Sequence, residues 1–188
     1  MRLLIVYGTT EGQTRKIAQF MRDRFAAAAH VVTLVEAIDA TPKLDPRAFD
    51  AVLVSGSLHA GRYQAAIEDF VRTHASALAA VRSAFVSVSL AAAGDDEEDK
   101  HGLAKCVADF VHRTGWSPAT VHHVAGAFRY TQYDFFKRWA LKYIAWRKGA
   151  PMDTSQDFEL TDWDDLGRFV DDFVTMVGVR EPRAPVPN

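Results

Sequence analysis

The chain has little cysteine and no long apolar run. Its single cysteine, Cys106, excludes an internal disulfide framework and a cysteine-based zinc cluster. The apolar run that begins at Leu3 is far too short for a secretory signal or a membrane-spanning helix. The formal net charge of -2 provides no basic field that would favour nucleic acid. We therefore expect a cytoplasmic globular protein without a bound metal, and its 188 residues are typical of one domain.

Strand-like apolar segments alternate with helical segments along most of the chain. The predicted strands are residues 2–8, 30–36, 51–56, 84–90 and 121–128, and the predicted helices are residues 13–29, 63–80, 102–114 and 161–177. This alternation predicts an α/β fold with a doubly wound parallel sheet of five strands. The acidic run Asp95–Asp99 is predicted to be a solvated loop.

A long insertion, at about residues 129–160, separates the fifth predicted strand from the last helix. It has roughly thirty residues, more than ordinary loops contain without a function. Within it, residues 133–148 place aromatic side chains on one half of a helical wheel and lysines and arginines mainly on the other. This pattern favours an interfacial helix on an anionic membrane surface. Packing of the same face against the sheet or a partner subunit is the alternative.

The first strand leads directly into a loop of hydroxyl and glycine residues, Thr9–Thr14. A helix follows, and a helix N-terminus binds anions through its unpaired N–H groups and its positive dipole end. The loop lacks both the Gly-Lys-Thr of a Walker loop and the GxGxxG of a dinucleotide fold. Hydroxyls and amides without a metal suit a terminal phosphate monoester such as that of FMN. A capped helix start with no ligand is the alternative.

Two further loops are expected at the same sheet edge, because ligands bind beyond the carboxyl ends of parallel strands. The glycines and serines of loop 55–63 would let the backbone approach a flat ring and donate to flavin N5. In this loop, His59 is either a proton relay or an exposed histidine. For Arg62, an ordinary ion pair with Glu68 or another acid is the alternative. The small residues of loop 89–94 either leave room for a ring edge or form a simple flexible turn.

These motifs together resemble the flavodoxin-like, menaquinone-dependent protoporphyrinogen dehydrogenases of bacteria. The resemblance covers nearly the whole chain and is most distinctive at the insertion borders, Ala125–Tyr130 and Leu160–Trp163. The other matching segments are residues 9–14, 61–63, 70–75 and 83–90. The resemblance implies a flavodoxin-like sheet of order 2-1-3-4-5. It also implies one non-covalent FMN per subunit and a quinone acceptor, menaquinone or ubiquinone, in the membrane.

The resemblance also implies which residues hold the cofactor. The phosphate would be bound by Thr9, Thr10, Glu11, Gly12, Gln13 and Thr14, with Glu11 contributing its backbone N–H. The isoalloxazine ring would be bordered on one side by Ser57, Leu58, His59, Ala60 and Gly61, and on the other by Ser89, Leu90, Ala91, Ala92 and Gly94. Arg129 would pair with a porphyrin propionate and Tyr130 would cover the ring. With His59, these two are the candidate catalytic residues, and no acid or base is assigned.

The expected function is the FMN-dependent oxidation of protoporphyrinogen IX to protoporphyrin IX in heme synthesis, with electrons passed to a membrane quinone. A flavodoxin-type electron carrier, a soluble FMN-dependent quinone reductase and a flavin-free regulatory module are the alternatives. We expect a single domain over residues 1–180, followed by a flexible tail, 181–188. The protein would associate peripherally with the inner face of the cell membrane, and self-association of the chain stays open.

Overall fold

The computed structural model describes residues 1–41, 43–94, 96–128 and 158–178. Five parallel strands form one sheet in the order β2-β1-β3-β4-β5. Its strands are β1 (Arg2–Gly8), β2 (Val31–Glu36), β3 (Ala51–Ser57), β4 (Arg82–Ser89) and β5 (Thr120–Ala125). The described helices are α1 (Gln13–Ala27), α2 (Ala65–Ala80), α3 (Glu97–Thr114) and α4 (Trp163–Gly178). The predicted fold class and strand order are thus confirmed.

The core has two layers, one on each face of the sheet. Successive side chains of a strand point to opposite faces, so Leu3 and Ile5 of β1 lie in one layer and Leu4 and Val6 in the other. Helices α1 and α4 cover the first layer, and α2 and α3 cover the second. Because both faces are covered, the central strands are buried along nearly their whole length, and even Ser55, Ser83 and Ser87 are buried.

The register brings the ends of the three central strands to one edge of the sheet. Gly8 at the end of β1 is the partner of Gly56, and Ser57 at the end of β3 is the partner of Val88 in β4. The loops after β1, β3 and β4 therefore leave the sheet side by side. This is the edge at which ligands bind in open α/β sheets.

The fifth strand ends earlier than predicted, at Ala125. Gly126 interrupts it, donating its N–H to the Ser89 carbonyl at 3.0 Å and accepting from the Leu160 N–H at 3.1 Å. Ala127–Phe128 then forms a short strand, β6, paired antiparallel with β7, Phe158–Glu159. The prediction of one strand through residue 128 is wrong because an apolar run does not reveal a change of partner. The two borders of the insertion are consequently adjacent.

The acidic run is also different from its prediction. Asp96 caps α3, its Oδ1 accepting from the Asp99 N–H at 2.7 Å, and Glu97–Asp99 form the first helical turn. The solvated-loop prediction is therefore wrong from residue 97 onward, and α3 begins before the predicted Gly102. Acidic side chains are stabilised at this position by the positive end of the helix dipole.

Several predictions fall on residues outside the described part of the chain. These include the helix at 133–148, the residues Arg129 and Tyr130, and the tail 181–188. The single domain over 1–180 likewise stays a prediction. Within the described ranges, no helix is both long and apolar enough to cross a membrane.

Candidate cofactor site

The loop after β1 forms a closed turn at the start of α1. Gly12 has a φ of +93°, and its N–H donates to Thr9 Oγ1 at 2.9 Å, which closes the loop. No hydrogen bond among the described residues uses the N–H groups of Thr10, Glu11, Gln13 or Thr14. The first turn of α1 contains no acid. Unpaired N–H groups at a helix N-terminus suit a phosphate.

Thr14 tests whether this loop fits an anionic group. Its side chain is only 1% exposed, and its Oγ1 has no hydrogen-bond partner within the part of the chain that the structure describes. A buried hydroxyl left without a partner costs about 1–3 kcal/mol. An anion at the N-terminus of α1 would provide the missing partner. The loop therefore fits a phosphate group.

The nearest cations of α1 are occupied by carboxylates. Arg15 Nη2 lies 2.7 Å from Glu36 Oε2, and Arg15 Nε donates to Tyr7 Oη at 3.2 Å. Lys16 pairs with Glu159. Among the described residues, this loop therefore leaves backbone N–H groups and hydroxyls available as donors, while Arg15 and Lys16 are already paired.

The loop after β3 is a tight hairpin turn. His59 and Arg62 face each other and exchange two backbone hydrogen bonds, of 2.8 and 2.9 Å. The two residues between them, Ala60 and Gly61, have φ values of +47° and +78°. Positive φ at both central positions is characteristic of a type I′ turn, and it strains Ala60, which is not a glycine. Such outliers concentrate at functional sites.

The hydrogen bonds of this hairpin identify its available backbone donors. The Ser57 N–H donates to Gln64 Oε1 at 3.1 Å, and the Leu58 N–H to the Val88 carbonyl at 2.8 Å. The N–H groups of His59 and Arg62 are used within the hairpin. Those of Ala60 and Gly61 have no partner among the described residues. Of the backbone N–H groups from Ser57 to Arg62, only those of Ala60 and Gly61 remain available for the donation to flavin N5 that the sequence predicts.

Gly56 has a different role from the one predicted. A Cβ at Gly56 would lie 3.2 Å from Tyr63 Cδ1, so the space beside it is filled by the protein's own side chain. The interpretation that Gly56 admits a flat ring is therefore wrong. At Gly61 the backbone conformation, not the available space, favours glycine. Its φ of +78° is left-handed, and a Cβ there would meet nothing within 4 Å.

Tyr63 anchors the base of the hairpin. It is 4% exposed, its Oη lies 2.8 Å from Ser87 Oγ, and its ring packs edge-on against Phe85 and Phe110. Burial raises the pKa of Tyr63 to about 12, so the phenol stays protonated. Tyr63 therefore positions the loop and is not an acid at neutral pH.

The loop after β4 is an ordered turn. Ser89 Oγ accepts from the Ala92 N–H at 3.2 Å, and Ala91–Ala93 form a short 3₁₀ turn. Leu90, Ala91, Ala92, Ala93 and Gly94 are all half-buried. A Cβ at Gly94 would lie 2.3 Å from Asp99 Oδ2, so Gly94 packs closely on the start of α3. In place of the simple flexible turn given as the alternative, the structure has a hydrogen-bonded 3₁₀ turn at these residues.

His59 and Arg62 present two exposed side chains beside one another at the edge of the site. Residues paired across a two-residue hairpin have their side chains on the same face. The expected pairing of Arg62 with Glu68 is wrong, because Glu68 is bound by Arg113 at 2.8 Å. Within the described ranges, no acid pairs with Arg62. Its guanidinium is thus available to an external carboxylate.

Sequence reasoning missed two residues that hold the loops in place. Gln64 contacts both Thr10 and Ser57, and its only sequence signal was its position near the start of a predicted helix. Thr161 accepts from Gln13 Nε2 at 2.9 Å and donates to the Ala125 carbonyl at 2.7 Å. The cap of α4 is Asp162, whose Oδ1 accepts from the Asp165 N–H at 2.8 Å.

Comparison with known proteins agrees with this architecture. Residues 4–155 match the flavodoxin domain family. A short-chain flavodoxin associated with a PDU bacterial microcompartment superposes with a TM-score of 0.58 at 14% identity, covering 95% of this chain and 99% of that one. Oxidised flavodoxin 1 from Bacillus cereus superposes with a TM-score of 0.53 at 11% identity, covering 93% and 98%. At these identities the likeness concerns the fold alone.

Two curated relatives have the same name, protoporphyrinogen IX dehydrogenase [quinone]. The one from Escherichia coli K12 is 30% identical over 175 residues, covering 90% of this chain and 92% of its own. The one from Leishmania major is 31% identical over 184 residues, covering 97% of this chain and 78% of its own.

The doubly wound sheet and the family match define a flavodoxin-type domain. Similarity to the two relatives extends over nearly the whole chain, including the borders of the insertion. The chain belongs to the protoporphyrinogen IX dehydrogenase family of flavodoxin-domain oxidoreductases. This confirms the family resemblance noted in the sequence.

Proposed function

We propose that the protein oxidises protoporphyrinogen IX to protoporphyrin IX with bound FMN and passes the electrons to a membrane quinone. The main support is the 30% identity to a protoporphyrinogen IX dehydrogenase [quinone] over 90% of the chain. The geometry of the three loops supports the cofactor part of the proposal. Heme synthesis is the process in which this reaction would serve.

The phosphate of FMN would be held by Thr9–Thr14. The N–H groups of Thr10, Glu11, Gln13 and Thr14 are unpaired within the described residues, and the buried Thr14 hydroxyl needs a partner. The side chain of Gln13 is already bound to Thr161, so Gln13 would contribute its N–H only. Thr9 would act by closing the loop through Gly12. A dianionic phosphate is stabilised at a helix N-terminus.

The ring system would lie between the hairpin Ser57–Gly61 and the turn Ser89–Gly94. The available N–H groups of Ala60 and Gly61 would donate to it, and the small residues of the turn would border its other side. The redox chemistry would be that of the bound flavin, which takes up electron pairs and releases them to a quinone. The protein's own part is to orient the ring and to shield it from water.

The hairpin would also recognise the substrate's carboxylates. Arg62 is exposed, unpaired among the described residues and opposite His59. A guanidinium binds carboxylates through two parallel hydrogen bonds, and an imidazole exchanges protons near neutral pH. We therefore assign Arg62 and His59 to the propionates and to proton transfer. Arg129, in the insertion, would pair with a further propionate, and Tyr130 would cover the porphyrin ring.

The membrane part of the proposal rests on the insertion. The basic and aromatic pattern of residues 133–148 would place this segment on the inner face of the cell membrane, within reach of menaquinone or ubiquinone. The same apolar face would serve equally for contact between copies of the chain. The protein would then be cytoplasmic and peripherally bound.

A steady-state assay tests the whole reaction. The protein is purified with FMN, and porphyrin fluorescence is followed under argon with protoporphyrinogen IX and a water-soluble menaquinone analogue. We expect fluorescence to rise only when protein, FMN and quinone are all present. Rapid NADH oxidation with no porphyrin formation would favour a nicotinamide-dependent quinone reductase. A flavin that reacts with neither donor would favour an electron carrier.

A further inference from the structure

Gln64 connects the two loops that are assigned to the cofactor. Its side-chain nitrogen donates to Thr10 Oγ1 at 3.1 Å and also to Ser57 Oγ. Its Oε1 accepts the Ser57 N–H at 3.1 Å. Thr10 belongs to the phosphate loop, and Ser57 ends β3 beside the proposed ring site. One side chain thus spans both ends of the site.

Two glycines lie beside this side chain. Gly8 and Gly56 are register partners at the ends of β1 and β3. A Cβ at Gly8 would lie 3.1 Å from Gln64 Oε1 and 2.5 Å from a side-chain carbon of Ile67, and one at Gly56 would lie 3.6 Å from Gln64 Oε1. A side chain at Gly8 would crowd the Gln64 amide, whereas one at Gly56 would be in ordinary contact with it. The end of β1 therefore leaves room for the Gln64 side chain.

The direction of these hydrogen bonds determines whether the Thr10 and Ser57 hydroxyls can donate to a further group. Because Gln64 Oε1 accepts from a backbone N–H, which cannot reverse its role, the amide nitrogen must face Thr10 and Ser57. A hydroxyl that accepts from an amide keeps its own hydrogen for another acceptor. Gln64 therefore leaves both hydroxyls as donors. Phosphate oxygens and the carbonyl and nitrogen acceptors of a flavin ring require such donors.

On the basis of the function proposed above, we propose that Gln64 is a positioning residue that turns the Thr10 hydroxyl toward the FMN phosphate and the Ser57 hydroxyl toward its ring. Gln64 itself does not contact the reacting atoms. Its replacement should weaken flavin binding through these two hydroxyls and leave the fold in place.

The test compares FMN with riboflavin, which lacks the phosphate, by fluorescence titration of the apo-protein. We expect Gln64→Met to weaken FMN binding by about tenfold or more, the usual scale of a hydrogen bond to a charged group. Riboflavin binding should weaken by about threefold, because only the bond from neutral Ser57 is affected. Gln19→Met, an exposed position on α1, is the matched control and should bind both flavins as the wild type does.

A double-mutant cycle identifies the route of the effect. In a Thr10→Val background, Gln64→Met should weaken FMN binding by no more than it weakens riboflavin binding. In a Ser57→Ala background, it should leave riboflavin binding unchanged. Full, additive losses in both backgrounds would overturn the inference, and so would wild-type FMN affinity in Gln64→Met.

Folding is checked by thermal melting of each apo-protein, followed by circular dichroism. If Gln64→Met does not fold, Gln64→Glu keeps the size of the side chain but only accepts hydrogen bonds. It should weaken FMN binding more than riboflavin binding, and equal losses would overturn the inference. A wild-type protein that binds neither flavin would overturn the proposed function and this inference together.

Discussion

The Gln13 side chain donates to Thr161 Oγ1 at 2.9 Å across 148 residues of sequence. Thr161 donates in turn to the Ala125 carbonyl at 2.7 Å, at the end of β5. The start of α1 is therefore connected to the end of β5 and to the segment that follows the insertion. Loop geometry at one end of the site depends on the borders of the insertion.

Replacing Thr161 by valine should loosen this connection. Thr161→Val leaves the Gln13 amide and the Ala125 carbonyl without a partner, which should lower the free energy of unfolding by about 1–2 kcal/mol. FMN affinity should fall as well, because Gln13 begins α1. Urea unfolding and flavin titration measure the two effects. Thr175→Val, which removes a bond to the Asp171 carbonyl within α4, should leave FMN affinity unchanged.

Thr14 should show opposite effects on stability and binding. Thr14→Val removes a buried hydroxyl that has no partner in the described structure, so the apo-protein should become more stable by about 1 kcal/mol. FMN should bind more weakly, since a phosphate donor is lost. At the buried Thr114, whose hydroxyl donates to the Phe110 carbonyl at 2.8 Å, the same substitution should destabilise the protein and spare FMN. Reduced stability of apo Thr14→Val would contradict this account.

Gly61 and Gly115 form a matched pair for testing the hairpin. Both have left-handed φ values, +78° and +70°, and a Cβ at either would meet nothing within 4 Å. Alanine at either position should cost about 1–2 kcal/mol of stability from backbone strain. Only Gly61→Ala should also change riboflavin affinity, because the Ala60 and Gly61 N–H groups would move. Equal riboflavin affinity in both variants would argue against ring contact at this turn.

His122 should contribute to the pH dependence of stability. Its ring stacks on Phe169 at 4.3 Å, and its Nε2 lies 3.2 Å from Asp165 Oδ2 without hydrogen-bond geometry. Burial lowers the pKa of His122, against an opposing effect of Asp165. Burial also lowers the pKa of His123, with a further lowering from His122. Because the folded pKa values lie below the unfolded ones, this stabilisation is complete above the ordinary pKa and is lost as the pH falls through the folded values.

The free energy of unfolding should therefore decrease as the pH falls below about 6.5, the ordinary histidine pKa. Urea denaturation at several pH values measures the slope, and His122→Gln should flatten it. His101→Gln, at an exposed position on α3, serves as the control and should keep the wild-type slope. Identical slopes for wild type and His122→Gln would show that His122 is not responsible.

The membrane role can be tested on the insertion. Replacing Trp139 and Trp146 by alanine should reduce co-sedimentation with anionic liposomes, because aromatic side chains anchor an interfacial helix. Trp163→Ala provides a tryptophan control from α4, outside the insertion. Circular dichroism verifies that each variant folds. Unchanged sedimentation of the double variant would count against membrane docking through this segment.

The sequence predicted the elements that apolar periodicity determines. Strand β1 was placed correctly from residue 2 to 8, and the parallel order followed from alternation and family resemblance. It did not predict the change of partner at Gly126, because β6 pairs with Phe158–Glu159 across a long sequence separation. The start of α3 was missed because acidic residues were interpreted as solvated, although they cap the helix and form its first turn.

The same distinction between local sequence patterns and long-range contacts applies to the candidate site. The loop Thr9–Thr14 could be proposed from the sequence as a phosphate site because its donors are consecutive along the chain. Gln64 and Thr161 could not be identified in this way, since each acts through partners that only the folded sheet brings close. The role of Gly56 was misassigned for the same reason, because Tyr63 fills the space beside it only after the hairpin has formed.

The most direct test of the central claim is a single-turnover experiment. FMN-loaded protein is mixed anaerobically with protoporphyrinogen IX, and flavin absorbance and porphyrin fluorescence are recorded together. We expect the flavin absorbance to bleach, because each FMN takes up one electron pair from protoporphyrinogen, and to return when a menaquinone analogue is added. Porphyrin fluorescence should then appear as the quinone allows the remaining electron pairs to be removed. A bound flavin that stays oxidised in the presence of protoporphyrinogen would contradict the proposed reaction.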